Sequence, residues 1–130
     1  MSQFTDWFIA ERSECEAIIT SDNPWSNWPS LQMQGVIDVD VIELAALIGA
    51  EWNVNLLSED PLILEIAPKL VEAFGAIHDD EIDNLATNWN QTDGLSDRDH
   101  AQLANFVGQM RDFCARAQSE SKSVIEIPAE

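Results

Sequence analysis

Apolar and polar positions along this chain switch between a period near two and a period near 3.6, and the switches predict its elements. Gln3 to Ala10 is crowded with Phe4, Thr5, Trp7, Phe8 and Ile9, aromatic and β-branched residues that suit a strand. Glu11 to Thr20 reads as a short helix with Cys15, Ile18 and Ile19 on one side. Ser21 to Ser30 breaks regular structure with two prolines among turn formers. Leu31 and Met33 alternate with Gln32 and Gln34 in a short strand over Leu31 to Val36, interrupted by Gly35. Asp38 suits the N-cap of a helix carrying Val41, Leu44, Ala45 and Ile48, and Gly49 suits its stop.

The second half is more regular. Trp52 to Asp60 reads as a loop, and the apolar run Leu62, Ile63, Leu64, Ile66 within Pro61 to Ala67 as a buried strand. Pro68 opens a helix at a position where its missing N–H costs nothing, and Leu70, Val71, Phe74 and Ile77 share one face. Asp79, Asp80 and Glu81 complement the N-terminal dipole of another helix, whose apolar face is Ile82, Leu85, Ala86 and Trp89. After a turn at Asp93-Gly94, Ser96 with Asp99 resembles a capping box for the clearest helix of the chain. Its stripe is Leu103, Phe106, Val107, Met110, Phe113, Cys114 and Ala117. Val124, Ile125 and Ile127 make a final strand. The expectation is one α+β domain over residues 1–130, a small mixed or antiparallel sheet packed by about five helices, with both terminal strands in that sheet.

Charge changes this picture most. There are 24 Asp and Glu against 6 Lys and Arg, a formal net charge of -18, while 45% of the residues are apolar. The apolar content is enough for a core, so the acidity does not imply disorder. It repels phosphate backbones and anionic headgroups, which argues against nucleic acid and membrane surfaces as direct partners and favours a basic protein, metal cations or simple solubility. The bases are also unevenly placed. Between Arg12 and Lys69 there is no Lys, Arg or His, yet that stretch holds Glu14, Glu16, Asp22, Asp38, Asp40, Glu43, Glu51, Glu59, Asp60 and Glu65. Loops around Asp22, Glu51, Glu59 and Asp60 are therefore expected to present uncompensated negative charge to a partner.

Beside them lies the most specific local feature, Pro24-Trp25-Ser26-Asn27-Trp28-Pro29. Two tryptophans between prolines make either a recognition anchor or a lid folded back on the core. The partner-binding candidates are thus Trp25, Trp28, Asp22, Glu51, Glu59 and Asp60. Chemistry is harder to find. The carboxylate pairs Asp38/Asp40 and Asp97/Asp99 sit at helix starts, where capping explains them. His78 and His100 form no metal-binding spacing, and there is no nucleophile elbow, P-loop or dinucleotide fingerprint. Glu14 and Glu16 flank Cys15 and raise its thiol pKa by like-charge repulsion, which disfavours a catalytic thiolate. Cys15 and Cys114 suit a reducing cytoplasm, with a disulfide between them left open. No signal-peptide pattern is evident at the N-terminus, and no apolar run reaches membrane-spanning length.

Trp28-Pro29-Ser30-Leu31, Gly35, the helix ending Leu47-Ile48-Gly49, the junction Ile66-Ala67-Pro68-Lys69-Leu70-Val71 and the final helix leading to Val124-Ile125 resemble small uncharacterised bacterial α+β proteins. In size, acidity and lack of enzyme signature the chain is also loosely similar to the immunity proteins of bacterial toxin systems. That resemblance implies an inhibitor or immunity-type binding module, without cofactor or catalytic residues. Two readings of other classes stand beside it: an acidic housekeeping domain whose charge serves solubility, and a small carboxylate and histidine metal-binding protein or enzyme.

Overall fold

The computed structural model describes residues 4–36 and 38–128. β1 (Phe4–Ala10), β2 (Ser30–Gln34), β3 (Val54–Glu59), β4 (Leu62–Ile66) and β5 (Ser123–Ile127) form one sheet in the order β2-β1-β5-β4-β3. Every neighbouring pair is antiparallel. The strands nearest the two ends of the chain lie side by side, with Phe8 opposite Ile125 and Ile9 opposite Val124. The helices are α1 (Cys15–Thr20), α2 (Pro24–Asn27), α3 (Asp38–Leu47), α4 (Pro68–Gly75), α5 (Asp79–Asn90) and α6 (His100–Ser119). The α+β expectation holds, and the sheet is wholly antiparallel.

Both faces of β1 are covered, which explains its nearly unbroken apolar sequence. Trp7 and Ile9 face the main core, where Met33, Leu70, Phe74, Val107 and Met110 are also buried. The α6 stripe packs against α4 and α5, and all seven of its predicted positions are buried. Trp7 meets Phe74 edge-on, with ring centroids 5.8 Å apart and planes at 62°. Burying a ring system of this size is worth about 4–6 kcal/mol before entropy is charged against it. The polar ends of the core tryptophans are satisfied: Trp7 Nε1 donates to Glu126 Oε1 at 2.8 Å, and Trp89 Nε1 to the Asp40 carbonyl at 2.8 Å.

The opposite sheet face carries a smaller cluster of Phe8, Ala10, Ile18, Ile63 and Ile125, with Cys15, Trp28, Leu57 and Ile127 against it. It is roofed by α1 and the segment that follows. Cys15 is half-buried, Cys114 is buried, and both are free thiols.

Several local expectations need correction. Trp52 to Asp60 is not a loop throughout, because Val54–Glu59 forms edge strand β3 on β4. The register shifts between Leu56 and Ser58, and this irregularity breaks the alternation that would have revealed the strand. Ser96 does not cap α6. Asp99 does, its side chain accepting from the Ala101 N–H at 3.2 Å, so the helix starts at His100. Ser21 to Ser30 contains the one-turn helix α2, opened by Pro24. Ile19 does not join Ile18 in the core but is 41% exposed. Gly35 ends β2 with a positive φ of 73°, and Gly49 follows α3 with φ of 74°, both suited to glycine.

Candidate functional site

The site grows out of the chain's return from α1 to β2. Within Ser21–Asn23, the Ser21 hydroxyl accepts from the Asn23 N–H at 3.2 Å and from Asn27 Nδ2 at 3.1 Å. Pro24, with its fixed φ, starts α2, and the Trp28 N–H closes the turn on the Pro24 carbonyl at 3.0 Å. The Ile9 N–H then donates to the Pro29 carbonyl at 3.0 Å, which ties the segment to β1. This frame separates the two tryptophans. Trp28 packs on the smaller core, and its Nε1 donates to Glu14 Oε2 at 3.0 Å. Trp25 is 45% exposed. One ring is therefore a lid and the other is presented outward.

Trp25 is one wall of a cleft of about 260 Å³. Phe8 of β1, Ile63 of β4 and Ile127 of β5 line it from the sheet, and Ile18 and Ile19 line it from α1. Asp22, Pro24 and Pro61 complete its border. Among these apolar groups is a second carboxylate, Asp6. Strand alternation places Asp6 on the Phe8 face of β1, opposite Gln32 of β2 and Ile127 of β5. Its Oδ1 is shielded from solvent and has no hydrogen-bond partner. Burial pushes the Asp6 carboxyl above its ordinary pKa, while hydrogen bonds from Gln32 and Trp25 pull it back in part.

The structure brings together some of the sequence-predicted residues and separates others. Asp22 and Trp25 line the cleft, and Glu59 and Asp60 directly precede Pro61 on its border. Trp28 lies beneath, in the smaller core. Glu51 stands apart, in a hollow of about 270 Å³ shared with Ile48, Asn53 and Lys69. Among the described residues, none of Asp22, Glu51, Glu59 and Asp60 takes part in an ion pair. Sequence reasoning missed Asp6. Its signal was a single carboxylate inside the aromatic run of β1.

Glu65, from the base-free stretch, is neutralised from outside it. Arg12 donates from Nε to both carboxylate oxygens at 2.9 Å and also from Nη2; Asn55 Nδ2 donates at 3.0 Å and the Ser123 hydroxyl at 2.7 Å. The Arg12 hydrogen bond does most to lower its pKa to about 2. With its oxygens so fully engaged, this buried carboxylate is a structural group. Cys15 lies near it: burial first, then Glu65 and Glu14, hold the thiol above its ordinary pKa, so the thiolate is scarce. His78 starts α5 in a capping box with Glu81, while His100 Nε2 lies 3.0 Å from Thr87 Oγ1 and 3.4 Å from Asp83 Oδ1. Among the described residues no three His, Cys, Asp or Glu side chains group to hold a metal ion, and no helix is long and apolar enough to cross a membrane.

No protein-family model, curated protein or solved structure matches this chain.

Proposed function

We propose that this chain is a protein-binding module, of the inhibitor or immunity type, that engages a basic surface of another protein through the end carrying Trp25. One observation carries the reading: Asp22 and an exposed indole line one apolar cleft bordered by Pro61, the residue that follows Glu59-Asp60, and among the described residues none of these carboxylates has an ion-pair partner. Exposed aromatic anchors supply binding energy, and a rim of unpaired like charge supplies selectivity and fast encounter. At physiological ionic strength the field of exposed charges fades over about 8 Å, so local clustering matters more than the total of -18.

The test is affinity capture at low salt with the wild type, Trp25→Ala and Asp22→Lys as baits. A basic protein held by the wild type, released as salt rises and lost with both variants is the expected result. Identical capture by all three baits would reject this surface as the binding site.

A further inference from the structure

The Asp6 cleft is specific enough to name the group it receives, an inference that rests on the binding-module reading above. We infer that it is a socket for one arginine side chain of the partner protein. Its volume of about 260 Å³ falls below the roughly 300–1,000 Å³ of pockets that enclose drug-sized ligands, so one side chain is the fitting occupant.

Its lining divides as an arginine does. Phe8, Ile18, Ile63 and Ile127 offer apolar surface to the methylene stem. The Trp25 indole offers a flat face to the planar guanidinium, which is more weakly hydrated than an ammonium and stacks on aromatic rings. Asp6 offers the counter-charge. A carboxylate oxygen held from water without a hydrogen-bond donor is costly in the free protein, and a guanidinium removes that cost in the complex. Asp22 at the border adds a second acceptor. Trp25, 45% exposed, lines the same cleft as Asp6.

The chain does not fill the socket itself. Among the described residues no Lys or Arg lines the cleft, and the Arg12 guanidinium is committed to Glu65. The missing donor must come from another molecule, and charge complementarity makes it cationic.

The experiment is an NMR titration of the full chain at low ionic strength with three probes: Nα-acetyl-arginine methylamide, its lysine counterpart and a hexa-arginine peptide. The Trp25 indole N–H and the Asp6 carboxyl carbon are the reporters. Both signals are expected to move saturably with the arginine probe. Asp6→Asn, a nearly isosteric change, is expected to weaken that binding about tenfold, and the lysine probe to bind about threefold more weakly than arginine. Silent reporters in the wild type overturn the socket, whatever the variant does, and so does unchanged affinity in Asp6→Asn. If hexa-arginine shifts other signals around Glu59 and Asp60 while the cleft stays silent, the socket fails and the binding-module reading stands. If no basic probe shifts any signal, both fail.

Discussion

Arg12 holds Glu65 from 53 positions away, its Nε 2.9 Å from each carboxylate oxygen. This pair decides where the negative charge of the base-free stretch is felt. Glu65 is answered inside the sheet, whereas Asp22, Glu59 and Asp60 are left at one end with no ion-pair partner among the described residues.

The same pair sets a pH dependence. The folded pKa of Glu65 is lowered to about 2 from an ordinary 4.5, so its contribution is complete above the ordinary value and is lost as pH falls through that window. Denaturation across the acid range is expected to show a loss of about 2–3 kcal/mol from this group. Glu65→Gln lacks that component and is less stable at neutral pH by about 2 kcal/mol. Parallel acid-loss curves for the two proteins would count against the assignment.

The two tryptophans should part company on truncation. Trp28→Ala removes a ring from the smaller core and the hydrogen bond to Glu14, with an expected cost of about 2–3 kcal/mol. Trp25→Ala removes an exposed ring and is expected to cost less than about 1 kcal/mol. Urea unfolding of the two variants decides this, and equal losses would contradict the lid-and-anchor division.

Asp6 is expected to trade stability for binding. Its raised carboxyl pKa means that the native state is penalised by the ionised form at neutral pH, and the penalty fades as pH falls through the folded pKa. Asp6→Asn should therefore be more stable than the wild type at pH 7, with a raised Tm, while its binding declines. Calorimetry at neutral and acid pH checks the sign; a variant less stable than wild type at pH 7 would reverse it.

Neither thiol should behave as a nucleophile. Burial raises both pKa values, with Glu65 and Glu14 adding to the effect at Cys15. Labelling by a thiol reagent at neutral pH is expected to be slow at Cys15 and to require unfolding at Cys114. Rapid labelling of Cys15 would place it in a more electropositive setting than its neighbours provide.

Much of the fold was legible along the chain, for reasons visible in particular residues. The α6 stripe repeats over many turns, and Pro68 and the Asp79-Asp80-Glu81 cluster mark the starts of α4 and α5. β3 was hidden because its register shift sets Leu56 and Leu57 side by side where a regular strand would alternate. The spacing of Trp25 and Trp28 revealed an aromatic segment but not which ring faces outward, since that depends on contacts with Glu14 and β1 made elsewhere in the chain. The cleft was least legible. Its walls come from β1, α1, α2, β4 and β5, and no local pattern joins Asp6 to Trp25 or Pro61.

The question that matters most is whether the acidity acts at one end or as a property of the whole molecule. Two triple variants with the same net charge answer it: Asp22→Lys with Glu59→Lys and Asp60→Lys, against Glu43→Lys with Glu72→Lys and Asp97→Lys, all six at exposed positions. Affinity for hexa-arginine, measured by calorimetry at a series of salt concentrations, is the readout. The first variant is expected to lose at least tenfold in affinity and most of its salt dependence, the second only a fewfold. Equal losses in the two would show that the charge acts globally and would contradict a binding surface at the Trp25 end.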